Sequence, residues 1–165
     1  MKLKNRLARE EDITYIAEIK VAGWQTAYRG IVDESYLNAL SVQEQATSLM
    51  TRPLASFLVA ERDGHVVGFS RIVEGTLADG ETPGCEIREF YVRPDLRRQG
   101  IGTELFKYTV LEIRCRGYKV MSLGVFEENE DGIRFYEKMG GKLKDKGVIN
   151  LSGKSYPAIE YVFDL

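Results

Sequence analysis

Histidine, tryptophan, cysteine and proline are scarce in this chain of 165 residues, which contains one histidine, one tryptophan, two cysteines and four prolines. Cys85 and Cys115 are too few and too far apart for a disulfide framework or a CxxC site. The single histidine, His65, cannot build a histidine-rich metal centre. We therefore expect a protein of a reducing compartment, located in the cytoplasm, that holds no metal.

Long apolar runs are also missing, since no stretch approaches the roughly 18 residues of a membrane span. The basic start, Met1–Arg6, leads into the charged Arg9–Asp12 instead of an apolar segment, so we expect no secretory signal. Charge of either sign is not in excess, because 23 basic and 25 acidic residues give a net charge of −2. These absences argue against a membrane protein and against one that holds nucleic acid by bulk charge.

What is present is the composition of an ordinary globular protein, with 44% hydrophobic and 29% charged residues. The length favours one domain spanning residues 1–165. A chain of this size should bury roughly 70% of its unfolded surface, which suffices for a core without disulfides.

Hydrophobic periodicity predicts helices and strands in an order typical of the α+β (mixed α/β) fold class, with a mixed sheet. The predicted helices are Ile13–Trp24, Glu34–Leu40, Gln43–Met50, Gly100–Arg116 and Asn129–Met139. The predicted strands are Leu3–Ala8, Ser56–Ala60, His65–Val73, Glu86–Val92, Val120–Val125, Lys142–Ile149 and Ser155–Phe163. We expect the segment with Gly75, Gly80, Pro83 and Gly84 to be a loop.

The most informative segment lies at the start of the long fourth helix. Two arginines, Arg97 and Arg98, precede two glycines, Gly100 and Gly102. The first N–H groups of a helix have no partner within the helix, so they favour an anion, and glycines let a phosphate approach the main chain. A dinucleotide fingerprint would need a third glycine at Leu105, and the Gly-Lys-Ser/Thr of a Walker loop is also absent. Without further evidence, a permissive turn with solvated arginines explains the segment equally well.

Two ordered motifs carry a family resemblance. The segment Arg97–Gly102, Arg-Arg-Gln-Gly-Ile-Gly, resembles the Gln/Arg-x-x-Gly-x-Gly/Ala signature of the GCN5-related N-acetyltransferase (GNAT) superfamily. The segment Asn129–Gly140 is similar to that family's Asn-x-x-Ala-x-x-Phe-Tyr-Glu-Lys-x-Gly. The resemblance is strong from Gly84 to Gly140, and Trp24–Gly30 also resembles the first helix of many bacterial members. Two motifs around one strand–helix–strand unit are more specific than either alone.

The sequence departs from the family pattern at two glycines. Gly132 stands where the family often has alanine, and we expect this change to be harmless. Gly141 stands where an aromatic residue usually packs the core, which predicts a looser corner between the last helix and the following strand.

The resemblance implies a GNAT-like fold, with a central mixed, mostly antiparallel sheet of six or seven strands and about four helices on both faces. It implies acetyl-CoA as cosubstrate, without metal, and direct transfer of the acetyl group to a primary amine in a ternary complex. The acceptor is expected to be a small amine such as a polyamine, and the alternative is a protein N-terminus or a lysine. A non-catalytic acyl-CoA sensor is the rival from another class, and a homodimer stays open because family members often dimerise.

The resemblance also implies which residues hold the cosubstrate. Its diphosphate would sit on the amides of Arg98–Thr103, with Arg97 at the rim, and its pantetheine arm would pair with the strand Phe90–Val92 as an added strand does. A backbone N–H of that strand would face the developing oxyanion. The expected binding residues are Phe90, Tyr91, Val92, Arg97, Arg98, Gln99, Gly100, Ile101, Gly102, Thr103, Asn129 and Tyr136.

Tyr136 stands at the position of the family's usual proton donor, and Glu86 at the position where some members place their base. An alkyl amine with a pKa of about 10.4 is about one part in a thousand neutral near pH 7.4, so a proton acceptor helps. Glu89 or a water chain are alternatives to Glu86, and a period of two predicts that Glu89 faces the opposite side of the sheet. Tyr136 could instead be a core aromatic, and Glu86 a solvated or ion-paired residue.

Trp24 and Tyr28 lie one turn apart on the first helix. In the family this helix and the following loop wall the acceptor site, so both residues are expected to bind the acceptor. The alternative is that they are ordinary core residues.

Overall fold

A computed structural model describes residues 2–165 and places seven strands in one sheet; Met1, the first residue of the basic start, lies outside the described residues. The sheet order is β1-β2-β3-β4-β5-β7-β6, and only the pair β4–β5 is parallel. The strands are β1 (Leu3–Leu7), β2 (Phe57–Arg62), β3 (His65–Thr76), β4 (Pro83–Val92), β5 (Val120–Phe126), β6 (Lys142–Leu151) and β7 (Lys154–Asp164). This confirms the predicted mixed, mostly antiparallel sheet.

Five α-helices accompany the sheet in the described part of the chain. They are α1 (Ile13–Ala27), α2 (Glu34–Asn38), α3 (Val42–Leu49), α4 (Ile101–Cys115) and α5 (Glu130–Lys138). Four of them have eight residues or more, as expected, and none of the helices between residues 2 and 165 is long and apolar enough to cross a membrane.

The two faces of the sheet carry different helices. On one face, here called the α1 face, Ile16 and Ala17 pack against Phe57 and Phe69 in one apolar cluster. The opposite face, called the α4 face, buries a second cluster that contains Phe106, Ile113, Ile72, Ile87 and Met121. The helices therefore cover both faces, and apolar side chains that alternate along the strands supply both cores.

One predicted loop is shorter than expected. Pro83 and Gly84 belong to β4 and pair with Thr76 and Gly75 of β3, so the connection begins only after Thr76. A Cβ atom on Gly84 would lie 2.5 Å from the side chain of Leu77. Gly84 thus marks a close approach within a strand, and the loop prediction was wrong for Gly75, Pro83 and Gly84 but right for Gly80.

A β-bulge in β4 changes which face its carboxylates occupy. Arg71 of β3 pairs with Glu89, while the next residue, Ile72, pairs with Ile87, so Arg88 is the extra residue of the bulge. Before the bulge Glu86 alternates with Ile87, which lies in the α4-face core. After the bulge Glu89 also points to the α1 face, where it contacts α1. The prediction that Glu86 and Glu89 face opposite sides was wrong, because a bulge shifts the alternation by one residue.

Strands β4 and β5 separate soon after they meet. Their parallel pairing comprises only Cys85–Met121 and Glu86–Ser122, although both strands continue beyond it. The separation starts just before the bulge at Arg88, which bends β4 away from its neighbour. A gap therefore opens in the middle of the sheet.

The corner between α5 and β6 is tight where a looser one was expected. Gly140 adopts a φ of 102°, and a Cβ atom on Gly141 would lie 2.8 Å from the ring of Phe163 and 2.9 Å from the carbonyl oxygen of Tyr136. The glycine therefore makes room for the ring of Phe163, and the corner is closely packed.

Candidate active site

A cavity of about 900 Å³ passes through the gap between β4 and β5 and reaches both faces of the sheet. At its α1 end the wall contains Trp24, Tyr28 and Glu89. At its α4 end the wall contains Phe135 and Tyr136 of α5. Of the predicted site residues, the wall includes Trp24, Tyr28, Glu86, Phe90, Tyr91, Val92, Arg97, Arg98, Gly100, Gly102, Thr103, Asn129 and Tyr136.

The start of α4 presents free main-chain donors to this cavity. Gly100, the N-cap, has a φ of 83° and supplies no side-chain cap, and the first helical hydrogen bond is donated by Glu104 N–H to Gly100 O over 3.1 Å. The N–H groups of Ile101, Gly102 and Thr103 precede it and have no partner within the helix. With the positive end of the helix dipole, they can hold an anion.

Two predicted binding residues contribute no side chain to the cavity wall. The Gln99 side chain accepts a hydrogen bond from Arg62 over 2.9 Å, and Ile101 is 3% exposed in a cluster with Leu105 and Val67. Any contact that Gln99 or Ile101 makes with a ligand must therefore come from the main chain.

The β4 edge that borders the gap has free main-chain groups. Arg93 N–H donates to Val67 O of β3 over 2.8 Å, which fixes the phase of the antiparallel ladder. In such a ladder residues alternate, so Tyr91 bonds to β3 while Phe90 and Val92 direct their N–H and C=O groups away from it. These groups face the gap, where β5 has already separated.

The opposite edge of the gap shows the same arrangement. Glu127 N–H donates to Pro157 O of β7 over 2.9 Å, and the alternation along β5 then directs the main-chain groups of Gly124 into the gap. An extended ligand can therefore lie between the two strands and hydrogen-bond to both.

Tyr136 is both a packing residue and a cavity residue. Its ring lies 6.4 Å from that of Phe90 and 6.2 Å from that of Phe106, in edge or tilted contacts. Burial and the neighbouring Tyr28 raise the pKa of Tyr136 above its usual value. The phenol therefore stays protonated at ordinary pH and can serve as a proton donor.

Tyr28 lies at the α1 end of the cavity, whereas Tyr136 lies at the α4 end. Its hydroxyl is 3.1 Å from that of Tyr91, and Gly23 allows this arrangement because a Cβ there would lie 2.9 Å from the Tyr91 ring. Trp24 packs edge-on against Tyr28 at 4.8 Å, and its buried Nε1–H has no partner within residues 2–165. Trp24 and Tyr28 are thus partly core residues and partly cavity wall.

The two candidate bases are in different environments. Glu86 is partly exposed and accepts two hydrogen bonds of 2.9 Å from Arg88. Glu89 is buried between Lys20 at 2.5 Å and Arg71 at 2.7 Å. Burial acts to raise the pKa of Glu89, but the charges and hydrogen bonds of its two partners outweigh it and lower the pKa, which makes Glu89 a weaker proton acceptor.

Asn129 caps α5 by accepting a hydrogen bond of 3.1 Å from Gly132 N–H, as expected for a helix N-cap, and it also borders the cavity.

Sequence reasoning missed Lys20, Arg71 and Arg88 as site residues. No spacing identifies them, because Arg71 meets Glu89 through strand pairing, Arg88 is the bulge residue, and Lys20 reaches Glu89 from α1. Within residues 2–165, no group of three or more histidine, cysteine or acidic residues is placed to hold a metal ion.

Comparison with known proteins identifies similar sequences. A model of the acetyltransferase (GNAT) family matches residues 9–141. An uncharacterized N-acetyltransferase of Methanocaldococcus jannaschii is 32% identical over 72% of this chain and 53% of its own length, so the chain spans about half of that relative. The uncharacterized N-acetyltransferase YuaI of Bacillus subtilis is 31% identical over 80% of this chain and 76% of its own.

More distant similarities include proteins with named acceptors. The spermidine N(1)-acetyltransferase of Thermoplasma acidophilum is 23% identical over 88% of this chain and 91% of its own. The PaiA N-acetyltransferase of the same organism, solved in complex with coenzyme A, superposes with a TM-score of 0.74 at 23% identity, over 97% of this chain and 98% of its own. The ribosomal-protein-alanine N-acetyltransferase of Brucella melitensis superposes with a TM-score of 0.77 at 22% identity, over 98% and 99% of the two chains.

Proposed function

The chain belongs to the acetyltransferase (GNAT) family of acetyl-CoA-dependent N-acetyltransferases, and we propose that it transfers the acetyl group to a primary amine by direct attack in a ternary complex. The observation that carries the proposal is that one continuous cavity passes through the sheet. A cosubstrate bound at its α4 end and an acceptor bound at its α1 end can therefore meet in the gap. Bound acetyl-CoA would supply the activated acetyl group and a thiolate leaving group.

The residues at the α4 end fit that cosubstrate. The uncapped N–H groups after Gly100 suit a diphosphate, with Arg97 and Arg98 at the rim. The free edge at Phe90 and Val92 suits the amides of a pantetheine arm, which would add to β4 as a strand. One N–H of this edge would donate to the carbonyl oxygen on which negative charge develops.

Tyr136 is the proposed proton donor and Glu86 the proposed proton acceptor. Tyr136 is protonated at ordinary pH and can donate to a departing thiolate with a conjugate-acid pKa near 8.5, although burial raises the pKa of Tyr136 and so makes this transfer uphill. Glu86 borders the cavity and is partly exposed, so either its carboxylate or a water chain beside it can take the amine proton. The ion pairs that bury Glu89 favour Glu86 over Glu89.

The acceptor is proposed to be a small amine or the amino group of a peptide. Relatives or structural neighbours named for spermidine and for ribosomal-protein alanine support both classes. We further propose that residues 1–165 form one acetyltransferase domain, able to form a homodimer, that acts in the cytoplasm and binds neither nucleic acid nor membrane. The unpaired state of Cys85 and Cys115 supports a reducing compartment.

A transfer screen tests the proposal. The protein is incubated with acetyl-CoA and polyamines, amino acids, aminoglycosides or peptides, while thermal unfolding is followed with coenzyme A. We expect amine-dependent release of coenzyme A and a rise in Tm, because a ligand that binds only the native state stabilises it. A rise in Tm without turnover on any amine would favour the acyl-CoA sensor, and the absence of both would contradict the proposal.

A further inference from the structure

We infer that the acceptor is an α-aminoacyl compound, meaning an amine with a carbonyl or carboxylate group on the carbon that carries the nitrogen, and that Arg71 binds the oxygen of that group. This inference rests on the proposed transfer to an amine and specifies the acceptor. Free amino acids and polypeptide N-termini share this chemistry, whereas polyamines lack it.

Arg71 is a buried cation with unused hydrogen-bond donors. The residue is 8% exposed and borders the cavity, and its Nε donates to Glu89 over 2.7 Å. Within residues 2–165 no side chain or carbonyl group accepts a hydrogen bond from its two terminal nitrogens. A guanidinium carries five N–H donors, and the terminal nitrogens of Arg71 are not among the fully buried unpaired atoms of residues 2–165, so they are open to the cavity and can donate to an oxygen that a ligand brings there.

The position of Arg71 fits a group close to the reacting amine. Arg71 pairs across the sheet with Glu89, which directly precedes Phe90, the residue whose N–H faces the gap. The bulge holds Glu89 on the α1 face together with Tyr91, where Lys20 of α1 also reaches it. The guanidinium therefore lies on the side of the sheet from which the acceptor enters, beside the gap where the transfer is proposed.

The charges around this end disfavour a polyamine. Each carboxylate of the wall already has a cationic partner, since Glu86 binds Arg88, Glu89 binds both Lys20 and Arg71, and Asp131 binds Arg134. The additional ammonium groups of a polyamine would find no free carboxylate on this wall, whereas a carboxylate or carbonyl oxygen finds the free donors of Arg71. Glu160 of β7 lies outside the wall, so the variant Glu160→Gln serves below as a control for polyamine binding.

The α1 end also has an aromatic and aliphatic part. Trp24 and Phe126 border the cavity at a ring distance of 6.3 Å, together with Ile149 and Leu151 of β6. An apolar side chain on the acceptor therefore fits this wall. Leucine is a suitable probe, because 3-methylbutylamine is the same molecule without the carboxylate.

The test compares leucine, leucinamide, leucylglycine, 3-methylbutylamine and spermidine as acceptors at saturating acetyl-CoA. We expect the first three to have a kcat/KM, calculated for the neutral amine because an α-amino group has a lower pKa than an alkyl amine, at least roughly 10-fold above that of 3-methylbutylamine, the size of one hydrogen bond to a charged group. Leucine above leucinamide and leucylglycine would identify a free carboxylate as the ligand, and the reverse order a peptide N-terminus. A value for spermidine or 3-methylbutylamine equal to the others would overturn the inference.

The variant Arg71→Lys assigns the effect to one side chain, because it keeps the ion pair with Glu89 but removes the fork of donors. The ratio between leucine and 3-methylbutylamine should fall roughly 10-fold or more, while the KM of acetyl-CoA stays unchanged. Arg88→Lys is the matched control, because the Nε and one terminal nitrogen of Arg88 already bind Glu86. A ratio that survives in Arg71→Lys, or falls equally in Arg88→Lys, would contradict the inference.

Further outcomes separate this inference from the proposed function. If Arg71→Lys fails to fold, Arg71→Gln, which leaves Glu89 paired with Lys20, should show the same loss of preference. Glu160→Gln should leave activity on spermidine unchanged, and a loss there would indicate a polyamine site and overturn the inference. Acetylation of amines without preference for the carbonyl group would refute only the inference, whereas no acetylation of any amine would refute the proposed function as well.

Discussion

The two ends of the cavity are built in different ways. The α4 end uses main-chain groups, namely the uncapped amides after Gly100 and the free edge of β4, with exposed arginines at the rim. The α1 end uses side chains from distant parts of the chain, of which Lys20, Arg71 and Glu89 form a buried ionic cluster. Main-chain groups suit a ligand that is the same throughout a family, while a cluster of side chains can be altered residue by residue to fit different acceptors.

Tyr136→Phe, at the α4 end, should have the largest effect, because Tyr136 is the proposed proton donor. Loss of a general acid typically lowers kcat by roughly 10²- to 10⁴-fold. The affinity for coenzyme A should stay close to that of the unchanged protein, because the ring packing is retained. Steady-state kinetics and calorimetry measure the two effects, and Tyr15→Phe, at a residue 53% exposed on α1, serves as control. An unchanged kcat would remove Tyr136 from the chemistry.

Glu89→Gln tests the ionic cluster of the α1 end. Removing one partner of a buried ion pair leaves the others uncompensated and should lower the free energy of unfolding by roughly 3–5 kcal/mol. Glu86→Gln, in a partly exposed pair, should lower it by less than about 1 kcal/mol. Urea denaturation near pH 7 compares the variants, and equal losses would show that the cluster is no more stabilising than a surface pair.

The pH dependence of stability follows from the lowered pKa of Glu89. A carboxylate whose folded pKa lies below its unfolded value of about 4.3 contributes stability above that pH, and the contribution is lost as the pH falls through the folded pKa. Urea denaturation between pH 6 and pH 3 should therefore show a shallower acid-side loss in Glu89→Gln than in the unchanged protein. Parallel curves would contradict the assignment.

Gly100→Ala and Gly117→Ala separate binding from folding at the α4 end. Both glycines flank α4 with positive φ angles, 83° and 93°, so alanine should cost roughly 1–2 kcal/mol of stability at either position. Only Gly100 borders the cavity, so only its variant should raise the KM of acetyl-CoA. Thermal unfolding and kinetics compare them, and an equal rise in KM for both would place the diphosphate elsewhere.

Asn129→Ala and Ser41→Ala form a second pair with smaller effects. Each residue caps a helix by accepting a backbone hydrogen bond, of 3.1 Å in α5 and 3.3 Å in α3. Both variants should lose about 1 kcal/mol. Only Asn129→Ala should also weaken coenzyme A binding, since Ser41 does not border the cavity. Calorimetry decides, and unchanged coenzyme A binding in Asn129→Ala would leave Asn129 with a structural role alone.

The sequence predicted those features that depend on local pattern. The long helix after Gly100, the cap at Asn129 and the succession of strands along the chain each follow from the spacing and turn residues of a short local segment. Two predictions failed. Glu89 does not face the side opposite to Glu86, because a bulge shifts the alternation of β4, and the corner at Gly141 is not loose, because the ring of Phe163 packs against it. Neither effect is encoded in a short segment, since each arises where separate strands and helices meet.

A crystal structure of the protein with coenzyme A tests the central claim, that this cavity seats an acyl carrier across the divided sheet. The diphosphate should lie on the N–H groups of Ile101, Gly102 and Thr103, and the pantetheine amides should bond to Phe90 and Val92 beside Tyr136. Coenzyme A bound elsewhere, or β4 and β5 closed together with these main-chain groups paired, would contradict it.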